Sequence, residues 1–185
     1  MQSSRQCLSA WPLFVQGSNI MDDINSTLVQ IEENLNRLKD MLAQHMSELK
    51  QGKTLAEVSH ITDIELEGLY QQAYDFFQEG KFQQALPITL QISALKPNEW
   101  RYLFIAGMCF QFLGDSEAAT SFYGFTLMVN PACTPAAFRL AECLAASGDQ
   151  ENARHAYEAV ITLGRDVPEH MKLQDIAQMH LAAMH

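Results

Sequence analysis

The sequence has few basic residues, no Cys-x-x-Cys pair and no long apolar run, and each absence excludes a class of protein. Its 185 residues include 12 Lys and Arg against 22 Asp and Glu, which gives a net charge of −10. A nucleic-acid-binding protein needs a basic stripe to contact phosphates, so nucleic acid is not expected as a partner. No apolar run approaches the ~20 residues of a transmembrane helix, so we expect no direct insertion into membranes. The acidic surface either confers solubility alone or also favours a basic or amphipathic partner.

The cysteines and the scattered acidic residues predict no reactive centre. Cys7, Cys109, Cys133 and Cys143 lack the Cys-x-x-Cys spacing of zinc and redox motifs. We therefore favour a reduced, cytosolic protein, although four cysteines are also compatible with disulfides. No nucleophile with a neighbouring base, no phosphate-binding loop and no cluster of metal ligands is recognisable. The sequence thus predicts a protein that is not an enzyme and that binds no cofactor or metal.

Small residues, glycines and prolines recur in this sequence every 34 residues. A period of 34 with these residue types is typical of tetratricopeptide repeats, in which each repeat is an antiparallel pair of helices, A and B. The small residues let the two helices approach closely, the glycine ends helix A at positive φ, and the proline stops helix B. The recurring positions are Ala73, Gly107 and Ala141; Gly80, Gly114 and Gly148; Ala85, Ala119 and Ala153; and Pro97 and Pro131, with Arg165 in the third copy.

These repeats predict an all-α protein: a tetratricopeptide-repeat superhelix of three helix pairs, covering about residues 66–167. The third repeat lacks its closing proline, so we expect a further helix to complete the stack. That C-terminal helix carries Met171, Ile176, Met179 and Ala183 on one broad face and is predicted to cap the last repeat. The repeat domain, with this capping helix, is assigned to residues 53–185.

Residues 1–20 differ from the remainder of the chain. The stretch 7–15 is fairly apolar and follows Arg5, as in a signal peptide, but Pro12 interrupts it and no convincing cleavage site follows. We therefore predict that these residues form a disordered extension, with Met21 as the initiator if the extension is an upstream-start artefact.

Residues 21–52 are predicted to form a long N-terminal helix with a heptad pattern. Its apolar residues are spaced alternately by four and three, whereas charged residues lie outside this seam. Such a narrow stripe favours pairing with a second copy of the helix, and hence a homodimer; the alternative is a helix folded back on its own repeats. Besides His45, the seam consists of Ile24, Leu28, Ile31, Leu35, Leu38, Leu42 and Leu49.

The A helices of a repeat superhelix line its concave side, so their exposed positions form the floor of a groove. Here these positions carry aromatic residues and methionine, which are enriched where proteins bind partners. The alternative is that the N-terminal segment or a dimer partner covers them. The residues predicted to line a peptide-binding groove are Tyr70, Tyr74, Phe77, Phe104, Met108, Phe112, Phe138 and Glu142.

Two segments resemble a known family. Gly52-Lys-Thr-Leu-Ala-Glu-Val, followed by Gly68-Leu-Tyr-Gln-Gln-Ala-Tyr-Asp-Phe-Phe-Gln-Glu-Gly80-Lys-Phe-Gln-Gln-Ala85, is similar to the opening of class II type III secretion chaperones. The segment Ala136-Ala-Phe-Arg-Leu-Ala-Glu-Cys-Leu-Ala-Ala-Ser-Gly148 is similar to their third repeat. The resemblance covers about residues 50–165. The heptad helix before it is longer and more regular than the usual N-terminal segment of the family.

The resemblance implies a cytosolic chaperone that binds hydrophobic translocator proteins before their secretion and keeps them soluble. Such chaperones hold a short extended segment of the translocator in the concave groove and tend to dimerise through N-terminal helices. By position, the resemblance makes Glu142 an acidic site for the backbone or a cation of the cargo. It implies that the pocket walls are Tyr70, Tyr74, Phe77, Phe104, Met108 and Phe138. The alternative function is a repeat scaffold or regulatory adaptor that joins folded partners.

Overall fold

The computed structural model describes residues 20–165 and 167–184, and their side chains from Asn25 onward. The extension predicted for residues 1–20 therefore lies outside the described residues, apart from Ile20, where the first helix begins. The described residues form no strand, and a 3-10 turn at Pro168–His170 precedes the last helix. The helices are α1 Ile20–Leu49, α2 Leu55–Val58, α3 Asp63–Gln78, α4 Phe82–Leu95, α5 Trp100–Phe112, α6 Ser116–Val129, α7 Thr134–Ala146, α8 Gln150–Gly164 and α9 Met171–Ala183.

The predicted all-α tetratricopeptide fold is confirmed, with α3–α4, α5–α6 and α7–α8 as the three helix pairs. The recurring alanines are buried because they lie where paired helices cross; Ala73 and Ala85 expose none of their surface. The glycine that ends helix A takes a left-handed conformation in each repeat, with φ of 73° at Gly80 and similar values at its two equivalents. Each slot of the 34-residue pattern thus has the structural role that its residue type predicts.

The chain divides into two compact units. The described part of the first unit covers residues 20–109, which include α1 to α4 and most of α5. The described part of the second unit begins at Phe110 and contains the end of α5 together with α6 to α9. None of the helices in the described parts of the chain combines the length and the apolar character that a bilayer span requires.

In the first unit, α1 packs on α4 at the position of a proline. Pro87 lies inside α4 and has no N–H, so the carbonyl of Gln83 lacks the hydrogen bond that a helix normally supplies four residues later. The Thr27 hydroxyl of α1 donates to this carbonyl at 3.2 Å, and the buried Asn34 amide donates to the Pro87 carbonyl at 3.4 Å. The proline therefore opens one acceptor on α4, the Gln83 carbonyl, which α1 satisfies through Thr27, and the Asn34 contact lies one turn further along.

We predict that Thr27→Val lowers the free energy of unfolding by about 1 kcal/mol, because it removes one partly buried hydrogen bond to the Gln83 carbonyl. Urea unfolding followed by circular dichroism measures this change. Pro87→Ala supplies the matched background, since an alanine N–H there can satisfy the same carbonyl. In that background, Thr27→Val should lower the free energy of unfolding distinctly less than in the unaltered chain. Equal losses in the two backgrounds would contradict this explanation.

Two capping boxes in succession form the junction between α1 and the repeats. The Thr54 hydroxyl accepts from the Glu57 N–H while Glu57 accepts from the Thr54 N–H, and Thr62 and Glu65 repeat the arrangement before α3. The backbone N–H of Thr54 lowers the pKa of Glu57, and that of Thr62 lowers the pKa of Glu65. The Thr-x-x-Glu spacing was readable in the sequence and predicts both helix starts, including the short α2 that the repeat pattern did not reveal.

In the second unit, α9 packs on α7 and α8 and caps the third repeat, as predicted. The face predicted for this helix is wrong in part. Met171 and Met179 are exposed by 59% and 71%, whereas Ala177 is fully buried against the core of the third repeat. Of the predicted set, only Ile176 belongs to the packed face, which lies on a different side of the helix. Its members are Leu173, Ile176, Ala177 and Leu181.

Candidate functional site

In the first unit, α3 and α5 carry aromatic, methionine and arginine side chains at the positions predicted to line a groove, which we call the aromatic face: Tyr70, Tyr74, Arg101, Phe104 and Met108. Positions 70 and 74 are one helical turn apart on α3, and 101, 104 and 108 follow one stripe of α5. The Tyr70 ring lies 6.3 Å from Tyr74 and 5.5 Å from Tyr102, measured between ring centroids. The two A helices therefore meet through their aromatic residues.

Arg101 contacts acidic and aromatic side chains at one edge of the aromatic face. Its guanidinium contacts both Glu67 oxygens, at 3.2 and 3.0 Å, and donates to Glu99 at 3.1 Å. It also lies over the Tyr70 ring, 5.1 Å from the centroid. Glu67 and Arg101 occupy the same slot of consecutive repeats, 34 residues apart, so a comparison of slot charges in the sequence could have predicted the pair. Arg101 is thus a positioning residue that fixes the orientation of Tyr70.

Arg101 and the neighbouring Tyr102 each keep one charge state over the pH range in which proteins are normally handled. Burial opposes the charge of Arg101, but the carboxylates of Glu99 and Glu67 outweigh it and raise the pKa of this guanidinium above its ordinary value. Burial, followed by the negative charge of Glu67, raises the pKa of Tyr102 to about 12. Arg101 therefore remains a cation and Tyr102 a neutral phenol, and ligand binding here needs no titration of either group.

The predicted groove residues of the first unit are much less exposed than expected. Tyr70, Phe104 and Met108 keep only 3–6% of their surface accessible, and Tyr74 is half-buried. The prediction that Phe77 lies on an exposed face is wrong: it has no accessible surface and packs against Phe82 of α4, with ring centroids 5.2 Å apart. Large rings on helix A reach into the space between helices, which helical spacing alone does not reveal.

The second unit holds the remaining predicted groove residues. Phe112, at the end of α5, is exposed by 38%, as predicted. Phe138 is 3% exposed, and the expectation of an open position is wrong there, because the ring packs edge-on against Tyr157 of α8 at 6.1 Å. Glu142 retains a quarter of its side-chain exposure. Phe112 and Glu142 are therefore the accessible members in this unit.

Glu142 belongs to a chain of polar side chains. Its Oε2 accepts from Arg139 at 2.8 Å and from the Gln111 amide at 3.4 Å. Gln111 in turn accepts from the hydroxyl of the buried Tyr123 at 2.6 Å. The network fixes the Glu142 carboxylate relative to the end of α5, so a ligand would meet an acceptor that is already oriented.

The cysteines near these residues are poor nucleophiles. Burial raises the pKa of Cys109 to about 12, and burial together with the Glu142 charge raises the pKa of Cys143 to about 11. Both are free thiols in the same repeat slot, and both pack as small apolar groups, as the sequence predicts.

A second candidate surface lies on α1. The helix presents Thr27, Asn34 and the half-buried Ile31 and Leu38 toward α4, so half of the predicted seam is used within the chain. The other half is open and forms the exposed α1 stripe, which also includes a residue that the sequence pattern missed, Met46. The side chain of Ile24 lies outside the described residues, and Leu49 is half-buried. The stripe consists of Leu28, Leu35, Leu42 and Met46, exposed by 58%, 59%, 42% and 48%.

Comparison with known proteins agrees with this architecture. A family model described as a tetratricopeptide repeat matches residues 136–163, within the third repeat. The low calcium response locus protein H of Yersinia pseudotuberculosis is 28% identical over 136 residues, which cover 74% of this chain and 81% of that protein. The similarity thus extends well beyond a single repeat.

Solved structures give the decisive observation. The Yersinia enterocolitica type III secretion chaperone SycD, in complex with a peptide of the translocator YopD, matches with a TM-score of 0.65 and 25% identity, over 67% of this chain and 95% of SycD. PcrH of Pseudomonas aeruginosa, in complex with the chaperone-binding region of PopD, matches with a TM-score of 0.65 and 28% identity, over 66% of this chain and 92% of PcrH. The chain is similar in sequence and fold to the class II type III secretion chaperones.

The comparisons also bear on the second surface. SycD has been solved in an arrangement described as an alternative dimer. In the present chain, four large apolar side chains are open along one helix in the exposed α1 stripe, which is the character of a subunit contact.

Proposed function

We propose that this chain is a cytosolic chaperone that binds an extended apolar segment of secreted translocator proteins of a type III secretion system and keeps them soluble until export. The observation that carries the proposal is the likeness, over two thirds of the chain, to two chaperones solved with segments of translocators. The translocators are expected to be the hydrophobic proteins encoded beside this chain. No catalytic activity is expected, because the task requires only binding and release.

We further propose which side chains contact the cargo. Tyr74, Phe112 and Glu142 are the members of the predicted set with substantial exposure, and they are the expected points of contact. Tyr70, Phe77, Phe104 and Met108 are buried in the first unit and Phe138 in the second, so they are expected to support the contact residues of their own unit. A few anchored apolar side chains contribute roughly 1.5–3 kcal/mol each, and ordering an extended peptide consumes much of this gain. Binding near micromolar affinity follows, which suits cargo that must later be released.

We also propose that the chaperone is a homodimer and that the exposed α1 stripe is its contact. The stripe carries four large apolar side chains with one basic residue, Lys39, beside them, whereas the chain as a whole is strongly acidic. Pairing two copies of the stripe removes these leucines from water.

Co-production of the chain with its neighbouring translocators tests the cargo assignment. Tyr74→Asp and Phe112→Asp each place a charge where an apolar cargo side chain would pack, so we expect the amount of soluble, co-purified translocator to fall at least roughly tenfold. Phe125→Asp is the matched control, because Phe125 is 50% exposed on α6, outside the predicted set.

Unchanged co-purification with both variants would refute the proposed contact residues. If cargo binding instead survives these variants but is lost when the exposed α1 stripe is made polar, the chain acts as an adaptor that joins folded partners. Far-ultraviolet circular dichroism of each variant establishes that the helices are retained.

A further inference from the structure

We propose that Gln111 is a further cargo-contact residue, whose side-chain amide donates a hydrogen bond to a main-chain carbonyl of the bound translocator segment. This inference rests on the proposed function, because it names a chemical group that the same site recognises in its cargo. The residues that carry it, Gln111, Tyr123 and Glu142, all lie in the second unit.

The Gln111 amide is held from both ends. Its Nε2 donates to the Glu142 carboxylate at 3.4 Å, and its Oε1 accepts from the Tyr123 hydroxyl at 2.6 Å. An ionised carboxylate accepts hydrogen bonds but cannot donate them, so the amide atom that faces Glu142 is the nitrogen. The Tyr123 hydroxyl, which meets the oxygen on the other side, is then a donor. The two contacts together fix the position and the orientation of the amide.

This arrangement leaves one oriented donor for a ligand. The nitrogen of a glutamine amide carries two hydrogens, and Glu142 accepts one of them. Gln111 is half-buried at the end of α5 and precedes the exposed Phe112, one of the proposed cargo contacts. Because its two neighbours already hold the side chain, a further hydrogen bond from the second N–H requires little additional loss of rotamer freedom.

A main-chain carbonyl is the acceptor that suits this donor. The side chains of an apolar cargo segment offer no strong acceptor, and an extended segment satisfies none of its own carbonyls. A carbonyl that leaves water without finding a hydrogen bond destabilises the complex. The spare N–H of Gln111 supplies such a bond beside the place where Phe112 is expected to contact an apolar cargo side chain.

Recognition of the main chain selects conformation and not sequence. Every residue of an extended segment offers a carbonyl, whereas the carbonyls of a helix are occupied by its own N–H groups. Main-chain hydrogen bonds supply affinity that does not depend on side chains, while apolar contacts discriminate between sequences. We therefore infer that Gln111 favours extended over helical cargo and tolerates translocators of different sequence.

Gln111→Met tests this contact in the full-length chain, because methionine keeps the length of the side chain and removes the amide. The probe is a synthetic peptide of the translocator segment that survives limited proteolysis of the co-purified complex. We expect its Kd, measured by isothermal titration calorimetry, to rise roughly three- to tenfold, as the loss of one hydrogen bond implies. Gln178→Met is the matched control, since Gln178 is exposed on α9, and it should leave the Kd unchanged.

Ester replacement in the peptide tests whether the main chain is the acceptor. An ester carbonyl accepts hydrogen bonds more weakly than an amide carbonyl, so single esters along the peptide should reveal a position at which the Kd for the unaltered chain rises several-fold. At that position the ester should have little effect on binding to Gln111→Met, because the donor has been removed. If every ester changes the Kd equally for the two chains, the proposal is overturned.

Tyr123 acts through Gln111 and is a positioning residue. Tyr123→Phe keeps the buried ring and removes the hydroxyl that holds Oε1, so we expect the Kd to rise by a smaller factor than with Gln111→Met. Combined with Gln111→Met, the same change should have no further effect, whereas a purely structural role of the hydroxyl would still raise the Kd.

Far-ultraviolet circular dichroism establishes that each variant retains its helices. If Gln111→Met does not, the ester series is measured with Tyr123→Phe, for which the effect of the sensitive ester should shrink. An ester effect of undiminished size would contradict the proposal.

The outcomes separate this inference from the proposed function. If Tyr74→Asp and Phe112→Asp abolish translocator binding but Gln111→Met leaves the Kd unchanged, the inference fails and the proposed function stands. If Gln111→Met and the ester remain coupled while both aspartate variants bind normally, the main-chain contact is supported and the apolar contacts are refuted. If no translocator co-purifies with the unaltered chain, the proposed function and this inference are both refuted.

Discussion

A chain in which Leu28, Leu35 and Leu42 are all replaced by glutamate is expected to sediment as a monomer at micromolar concentrations. The three leucines are 42–59% exposed, so folding of the single chain gains little from them. In the proposed dimer each leucine is buried, and this burial contributes roughly 1.5 kcal/mol or more to the free energy of dimerisation. Loss of all three leucines should therefore raise the dimer Kd at least roughly a thousandfold. Three carboxylates on each facing helix add repulsion to this loss.

The matched control adds the same charge elsewhere on α1. Gln30, Asn36 and Gln44 are exposed, and at 100° per residue they lie away from the stripe. Their triple replacement by glutamate should leave sedimentation unchanged. If the leucine variant sediments like the unaltered chain, the exposed α1 stripe is not the subunit contact; if both variants dissociate, net charge and not the stripe controls assembly.

Replacing Tyr157 with alanine is expected to lower the free energy of unfolding of the second unit by about 3–5 kcal/mol. Tyr157 is 1% exposed and lies at the centre of the third repeat, between Phe138 of α7 and His180 of α9. Its ring stacks on His180 with a centroid distance of 4.8 Å and an interplanar angle of 7°. Alanine would leave a cavity and remove the side chain on which the capping helix rests.

Urea denaturation measures this loss, and limited proteolysis reports whether α9 is released first. Tyr157→Phe is the control, since it retains the ring and should lower the free energy of unfolding much less than Tyr157→Ala does. His180→Ala removes only the stacked ring at the surface, for which we expect about 0.5–1.5 kcal/mol. A cost for Tyr157→Ala no larger than that of His180→Ala would mean that the third repeat does not depend on this ring.

Much of the fold could be predicted because each repeat slot has one dominant physical requirement. A glycine is needed where the backbone turns left-handed, and Gly114, with φ of 87°, meets that need. An alanine is needed where two helices cross, and Ala119 is fully buried. Such requirements are local and recur every 34 residues, so a single sequence displays each of them three times.

The candidate site was less predictable, because exposure depends on neighbours that lie far away in the sequence. Phe77 and Phe112 both occupy A helices, yet Phe77 is fully buried and Phe112 is 38% exposed. Helical spacing placed both on the predicted groove side but did not reveal the ring of Phe82 that closes over Phe77. The heptad seam shows the same limit: Leu35 is open, whereas Leu38 lies on the side of α1 that packs on α4.

The sequence by itself determined the repeat register, the helix boundaries marked by glycine and proline, and the apolar character of α1 and of the A helices. These follow from backbone geometry and side-chain size, which act over a few residues. The tertiary structure alone decided which apolar residues remain available to a partner. The carbonyl that Pro87 leaves open on α4 positions α1 through Thr27, and this docking divides the heptad seam into a buried half and an exposed half. Packing between elements fixes exposure, and no local pattern contains that information.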